Sequence, residues 1–295
     1  MDVWLQDELN HPSLIWMNHA FQRSDRPPVV SIVHHLRSSE DHPRVAGWVY
    51  RQIERAYLKT VDAFIFNSQT TRQVVEKLVR RPVKGIVAYP AGDRFGQGLS
   101  LEDIELRTGA RRPLRILFVG NLIRRKGLDT LLSGLGLIKN EDWTLRVVGR
   151  MDIEPDYTEG LQALVQREGL SGRVEFLGNL PEEQLASEWR NAHILAVISA
   201  YEGFGIVYLE GMSFGLPAIG STSGAAREII RDGQNGRLVP AGDPAAAASA
   251  IRAYCRDRTL LLSHSINARF QFDRFPGWVQ TTAHIRNFLV EISAR

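Results

Sequence analysis

The chain has 295 residues, of which 44% are hydrophobic and 23% charged. These values are typical of a globular protein with a substantial core, in one large or two ordinary domains. The net charge of +3 suits an anionic ligand or an acidic membrane surface, but is too small to indicate nucleic acid. The single cysteine, Cys255, excludes an internal disulfide. Because no apolar run is long enough to span a membrane and no signal-peptide pattern opens the chain, we expect a cytoplasmic protein.

The first third of the chain alternates short apolar strands with helices. Val29–Val33 is a compact apolar strand that ends in His34 and His35, and 44–60 has apolar residues at helical spacing. This order predicts a parallel sheet. The expected elements are strands at 2–8, 29–33, 63–66 and 85–89, with helices at 44–60 and from 69 to about 78.

The rest of the chain predicts a doubly wound α/β domain. Residues 96–113 are rich in glycine, arginine and acids without apolar periodicity, and we interpret them as an interdomain linker. Six strands then alternate with helices, of which those at 127–139 and from Asp243 are the best marked, and an amphipathic helix spans 276–293. In such sheets ligands bind outside the carboxyl ends of the strands. The strands are expected at 114–119, 143–148, 173–177, 194–198, 216–220 and 237–239.

A glycine turn follows the apolar strand at 194–198. Gly203, Phe204 and Gly205 lie in this turn, and a segment with helical character begins at Ile206. A helix start presents free N–H groups and a positive dipole, so it is a favourable place for a phosphate. Glu202 and Glu210 flank the turn; a bare pair of acids at this spacing would ordinarily be solvated.

A basic loop follows the strand at 114–119. Gly120 ends the strand and lets the backbone approach a phosphate, and Lys126 adds a point charge just before the next helix. A solvated basic turn is the alternative interpretation. The position at the carboxyl end of a strand favours anion binding. Two further basic clusters occur, at Arg80-Arg81 and Arg111-Arg112.

Together, these motifs resemble the family-4 retaining glycosyltransferases. The pattern from Glu202 to Glu210, followed by Gly215-Leu216-Pro217, is similar to the Glu-x7-Glu signature of that family. The resemblance implies an α/β fold of the GT-B type, with two Rossmann-like domains and parallel sheets. It implies an acceptor-side domain at 1–95 joined by the C-terminal helix 277–295, a linker at 96–113 and a nucleotide-sugar-binding domain at 114–276.

The resemblance also implies roles for single residues. Glu202 would contact hydroxyls of the donor sugar together with His34, and Glu210 would bond the ribose. Lys126 would hold the donor diphosphate beside Gly120. Asn121 stands where the family has an arginine, so we expect Arg124 to supply that charge. Gly203, Phe204 and Gly205 complete the expected donor site.

The implied reaction transfers a sugar from a UDP-, GDP- or ADP-linked donor to a glycan, lipid or small-molecule acceptor, with retention. Because the sequence has no Asp-x-Asp cluster suited to a metal–diphosphate site, we expect no metal and no cofactor. Contact with nucleic acid is not expected, whereas peripheral contact with a membrane suits a lipid-linked acceptor. A dinucleotide oxidoreductase is disfavoured because no Gly-x-Gly-x-x-Gly follows a first strand.

The family ordinarily begins with a strand and a glycine-rich loop that have no counterpart before Asp2. The first sheet is therefore expected to be incomplete, with an exposed edge and low stability alone. Alternatively, a protein partner covers this edge and stabilises the sheet. The competing function is a non-catalytic nucleotide-sugar-binding protein or scaffold, which would bind a donor without turnover.

Overall fold

The computed structural model describes residues 2–20, 26–40, 42–96, 98–109 and 113–294. It has an α/β fold with two parallel sheets, which confirms the predicted fold class. The chain forms two compact units. The first unit comprises Met1–Ala91, Glu202–Phe204 and Pro276–Arg295, and the second comprises Gly92–Tyr201 and Gly205–Phe275.

The strands and helices alternate along most of the chain. The strands are β1 Trp4–Asp7, β2 Val29–Val33, β3 Ala63–Phe66, β4 Gly85–Val87, β5 Leu114–Val119, β6 Trp143–Val148, β7 Val174–Gly178, β8 Ile194–Val197, β9 Ala218–Ser221 and β10 Gly236–Val239. The α-helices are α1 His11–Ala20, α2 Arg44–Leu58, α3 Gln69–Val79, α4 Leu101–Gly109, α5 Leu128–Gly136, α6 Pro155–Arg167, α7 Glu182–Asn191, α8 Ile206–Ser213, α9 Ala226–Ile229, α10 Pro244–Arg256, α11 Arg258–Asp273 and α12 Trp278–Ser293.

The sheet of the first unit is covered on both faces. Its strands run parallel in the order β1-β2-β3-β4. Because side chains alternate along a strand, Val29 and Val33 face α2 and α3, whereas Val30 faces α12 through Phe288 and Ile292. The C-terminal helix therefore supplies one layer of this unit.

A buried polar network lies inside the first unit. Asn18 and Gln6 exchange two hydrogen bonds, and Asn18 also donates to the hydroxyl of Thr60 at 2.8 Å. The hydroxyl of Tyr57 is 3.1 Å from Gln6 Oε1 and 3.0 Å from Ser31 Oγ. The network joins β1, α1, β2 and α2, and each of these polar side chains is buried with a partner.

The sheet of the second unit has the strand order β10-β9-β8-β5-β6-β7. The order reverses between β5 and β8, which are neighbours at the centre of the sheet. All residues of β8 and β9 are buried, as expected for parallel strands covered on both faces. At such a reversal the connections leave the two central strands in opposite directions, which opens a crevice at their carboxyl ends.

Two segments differ from the sequence-based expectations. Helix α1 was not predicted, and α4 lies within 96–113, where no regular structure was expected. In α4, Ile104 is fully buried and the guanidinium of Arg107 donates to the carbonyl oxygens of Phe214 and Gly215 at 2.8 and 2.9 Å. Residues 97 and 110–112, including the Arg111-Arg112 cluster, lie outside the described residues. Among the helices that the structure describes, none has the length and apolar character needed to cross a membrane.

Candidate active site

The loop after β5 brings Lys126 beside Gly120. A Cβ added to Gly120 would lie 3.5 Å from Cε and 3.6 Å from Cδ of Lys126, so the lysine stem runs along the glycine. Gly120 also lies against Gly149 at the end of β6, where an added Cβ would meet the carbonyl oxygen of Gly120 at 2.0 Å. The carboxyl ends of β5 and β6 therefore approach more closely than any side chain at 149 would permit.

The loop after β5 is joined to the loop after β8. Ala200 donates its backbone N–H to the carbonyl of Arg125 at 2.8 Å, and Arg125 Nη1 donates to the carbonyl of Tyr201 at 2.8 Å. Gly127 has φ +66°, and a Cβ there would lie 2.1 Å from the carbonyl oxygen of Ile198. These contacts hold together the segments that leave the two central strands.

Arg125 was not singled out from the sequence, which gave its neighbours Arg124 and Lys126 the interacting roles. In the structure its backbone and its side chain both contact the 200–201 segment. These two contacts are with backbone groups, which every residue type carries, so the residue types of the 200–201 segment do not indicate them.

Arg124 and Asn121 are exposed. The Arg124 guanidinium lies 5.3 Å from the ring centroid of Tyr157, and its backbone N–H donates to Glu154 Oε2 at 3.2 Å. Arg124 Nε is 4.0 Å from the same carboxylate. Arg124 thus lies at the solvent-exposed edge of the basic loop and contacts the start of α6.

Gly205 begins α8 in a left-handed conformation, with φ +92°. A Cβ at this position would lie 2.6 Å from the ring of Tyr208, whose hydroxyl donates to the carbonyl of Val197 at 2.7 Å. Tyr208 thereby ties the first turn of α8 to the end of β8. The amino end of α8 and its positive dipole are fixed at the carboxyl end of that strand.

Glu210 lies one turn into α8 and is buried, with 8% of its surface exposed. The pKa of Glu210 is raised to about 7, chiefly by burial; the Arg94 guanidinium opposes this rise, and the Glu182 carboxylate adds a smaller raising effect. Arg94 and Glu182 form an ion pair at 3.1 Å. Gly92 contacts the helix beside Glu210, since an added Cβ would lie 3.1 Å from the Glu210 backbone nitrogen.

In the first unit, His34 lies against the glycine turn. A Cβ at Gly203 would be 2.5 Å from the His34 carbonyl oxygen and 2.8 Å from Cβ of His35, so only glycine fits there. Ser68 caps α3 by accepting from Thr71 N–H, and its hydroxyl donates to the Gly203 carbonyl at 2.7 Å. The ends of β2 and β3 thus hold the turn in place.

Side chains around this turn differ in exposure. Glu202 is buried, and the ring of Phe204 lies 5.7 Å from that of Tyr89. The His34 side chain is about half exposed, with Nε2 3.4 Å from Asp7 Oδ2. His34 and Glu202–Phe204 therefore belong to one cluster within the first unit, whereas Gly120, Lys126, Gly205 and Glu210 belong to the second.

Behind His34 lies a second buried acid, Glu8. Its Oε2 accepts from the His34 backbone N–H at 2.6 Å, and Oε1 is buried with no hydrogen-bond partner in the described part of the chain. Burial raises the pKa of Glu8 to about 8 despite the hydrogen bond from His34. Glu8 was not singled out from the sequence. Within the described ranges, no group of three or more His, Cys, Asp or Glu side chains is arranged to hold a metal ion.

Curated relatives of the chain are glycosyltransferases. It is 34% identical over 264 residues to the D-inositol 3-phosphate glycosyltransferase of Geodermatophilus obscurus, covering 82% of this chain and 54% of that protein. It is 37% identical over 149 residues to the phosphatidyl-myo-inositol mannosyltransferase of Mycobacterium leprae, covering 49% of this chain and 38% of that protein. The chain thus spans about half or less of the length of these relatives.

Solved structures share the fold. The sucrose-phosphate synthase of Thermosynechococcus elongatus is 23% identical with a TM-score of 0.82, over 99% of this chain and 74% of that one. Anabaena HepE in complex with UDP is 23% identical with a TM-score of 0.81, over 98% and 79% of the two chains. The family model for glycosyl transferases group 1 matches residues 107–270, more than half of the 295 residues, and the chain belongs to that family.

Proposed function

We propose that this chain is a glycosyltransferase that takes its sugar from a nucleotide diphosphate donor. One observation carries the proposal: the loops after the two central strands of the second unit are joined by Arg125 and Gly127. These loops bring Lys126, Gly120 at the end of β5 and the amino end of α8 to the point where the strand order reverses. The solved relatives with bound UDP have the same fold, and the family membership supports the same chemistry.

Departure of the nucleoside diphosphate loads negative charge onto its terminal phosphate. We assign the reception of this charge to the ammonium of Lys126 and the backbone amides at the start of α8, because preorganised positive groups stabilise such a transition state. Arg125 is a positioning residue, since it bonds Tyr201 and holds the two loops together. Arg124, which is exposed at the edge of the basic loop, adds positive charge that attracts the incoming diphosphate.

Glu210 is assigned to the ribose. Its carboxylate is buried one turn inside α8, where a carboxylate accepts hydrogen bonds from hydroxyl groups more strongly than it would in water. His34 and Glu202 are assigned to the donor sugar, as the resemblance implies. The contact of Gly203 with the His34 carbonyl, which places these two residues in one cluster, supports that assignment.

Retention and independence from metal are part of the proposal. The resemblance implies a front-face displacement in which the leaving phosphate assists deprotonation of the acceptor. Lys126 and the start of α8 would supply the positive charge that a metal supplies in other glycosyltransferases. Activity in the presence of a chelator, with the anomeric configuration read by NMR, tests both points.

A donor screen tests the proposal directly. The chain is incubated with UDP-glucose, GDP-mannose or ADP-glucose, with and without D-inositol 3-phosphate or phosphatidylinositol, and the released nucleoside diphosphate is measured. We expect release from one donor, reduced about 100-fold or more in Lys126→Ala. Lys139→Ala, which removes an exposed lysine paired with Glu168, is the control. Donor binding without release would favour the non-catalytic alternative.

The acceptor, contact with a membrane and a protein partner for the first sheet remain predictions from the sequence. The names of the curated relatives supply the two acceptors used in the screen.

A further inference from the structure

The first unit has a cavity of about 360 Å³ between α2, α3 and the short helix Arg37–Ser39. Its volume falls within the range of small-molecule sites, about 300 to 1,000 Å³. It is lined by none of the residues assigned to the donor. The polar residues of its wall that matter here are Ser38, Ser39, Arg51, Arg55, Lys77 and Arg80.

The wall carries four cations and no carboxylate among its described lining residues. Arg51 and Arg55 come from α2, Lys77 from α3, and Arg80 from the residue after α3. Within the described residues, none of the four forms an ion pair. Arg51, Lys77 and Arg80 are exposed and Arg55 is half-buried, so these like charges repel one another around a cavity that is open to water. A bound anion would remove this repulsion.

Two residues of the wall, Arg55 and Ser38, differ in how their polar groups are satisfied. Nε of Arg55 is buried and has no hydrogen-bond partner in the described ranges, which is costly for a charged donor. Ser38 is fixed in the wall, because its backbone N–H donates to Glu54 Oε1 at 3.1 Å. Arg55 lines the cavity, and its terminal guanidinium nitrogens, rather than the buried Nε, are the donors that a ligand would meet.

Arg80 has an unusual backbone conformation. With φ 62° it is the C-cap of α3 and is the one non-glycine residue with positive φ among those described. Glycine ordinarily occupies this position because the left-handed conformation is unfavourable for other residues. Arg80 occupies this position although glycine would adopt the same conformation with less strain. Its side chain lines the cavity.

We propose that this cavity binds a phosphate-bearing anion, either a phosphomonoester or a pyrophosphate group. Guanidinium groups match the geometry of phosphate oxygens, and a dianion would balance several of the cations. The site is independent of the proposed glycosyltransferase activity, because Arg80 and Lys77 have no assigned role in it. The phosphate belongs either to a soluble compound or to a lipid headgroup.

Calorimetric titration of the full chain with pyrophosphate tests the site. All proteins carry Lys126→Ala, so that binding at the donor loop does not contribute. The test variant adds Lys77→Gln and Arg80→Gly, of which the glycine change suits the left-handed position and keeps the helix end intact. The control adds Arg81→Ser, which removes the neighbouring cation outside the wall.

We expect saturable binding that weakens about tenfold or more in the test variant and is unchanged in the control. No saturable binding, or equal weakening in the control, would overturn the proposal. A second arm uses phosphatidylcholine vesicles with and without phosphatidic acid. Displacement of the protein from the acidic vesicles by pyrophosphate would assign the site to a lipid headgroup. Pyrophosphate binding without vesicle binding would assign it to a soluble phosphate compound.

Discussion

The two units of this chain are built from the same elements but stabilised differently. In the second unit the central strand β8 is apolar and fully buried, and Trp189 is fully buried against Phe214. In the first unit a polar network lies inside, whereas Trp16 and Trp48 are exposed. Apolar burial does not depend on pH, whereas a buried polar network depends on every partner. We therefore expect the first unit to respond to changes in charge and the second to changes in side-chain volume.

The largest expected effect is the pH dependence caused by Glu8. Its pKa in the folded chain is raised from 4.5 to about 8, so the folded state binds the proton more tightly than the unfolded state does. Its contribution to stability is therefore complete below about pH 4.5 and is lost as the pH rises towards 8. The loss amounts to about 5 kcal/mol of unfolding free energy.

Glu8→Gln should remove that loss, because glutamine resembles the protonated acid. Urea unfolding between pH 5 and pH 9 measures it, with the exposed Glu102→Gln as a control. Equal slopes of unfolding free energy against pH in the wild type and in Glu8→Gln would contradict the account of the first unit.

Two tryptophans provide the next comparison. Trp189→Ala leaves a cavity in the second unit and should lower the unfolding free energy by about 3 to 5 kcal/mol. Trp16→Ala in the first unit should change it by less than about 0.5 kcal/mol, because 80% of that side chain is already exposed. Denaturant unfolding of both variants measures the difference. Equal losses of unfolding free energy in the two variants would contradict the expectation that the buried Trp189 stabilises the fold and the exposed Trp16 does not.

Asn18 tests the polar network. Asn18→Ala leaves Gln6 and Thr60 buried without their shared partner, at a cost of about 2 kcal/mol. The exposed His19→Ala on the same helix is the matched control and should change stability by less than about 0.5 kcal/mol. If Asn18→Ala unfolded at the same urea concentration as the wild type, the network would not stabilise this unit.

The smallest expected effect concerns Glu210. Because its pKa is about 7, binding of a nucleoside diphosphate should weaken as the pH falls below 7, by about tenfold where the carboxylate is protonated. Glu210→Gln should lose this dependence, while protonation of the nucleotide itself affects both proteins alike. Titrations at pH 6 and pH 8 measure it, and parallel pH profiles would exclude Glu210 from the ribose contact.

Much of the architecture could be predicted from apolar runs. The strands at Val29–Val33, Leu114–Val119 and Trp143–Val148 have the predicted bounds, because each is a continuous or alternating apolar segment between turn residues. Asp243 accepts from Ala246 N–H at the start of α10, as its position before proline indicated. Local chemistry determines these features, so the sequence alone was sufficient.

Helix α1 could not be predicted because it buries polar residues and exposes an apolar one, the opposite of an amphipathic surface helix. Its fully buried residues, His11 and Asn18, are polar, and Trp16 is exposed. Leu14 and Ile15 pack against the core but are adjacent in the sequence, so they do not form a repeating apolar stripe.

Helix α4 buries Ile104 beside the charged Arg107, which holds two carbonyl groups. In both helices a buried polar side chain with tertiary hydrogen bonds interrupts the apolar periodicity by which an amphipathic helix is predicted.

The candidate site was predictable in part for the same reason. Gly120 and Lys126, singled out by residue type and position, lie together in the structure. Arg125 and Glu8 were missed, because they act on backbone groups of segments that are distant in the sequence. Residue type can indicate a candidate loop, but only the fold shows which contacts hold that loop in place.

Binding of nucleotides to the second unit tests the central claim most directly. Calorimetric titration with UDP, GDP, ADP and NAD is performed on the wild type, Lys126→Ala, Glu210→Ala and the control Lys139→Ala. We predict that one nucleoside diphosphate binds, that both site variants weaken its binding about tenfold or more, and that the control does not. Tight binding of NAD that neither site variant changes would contradict the account.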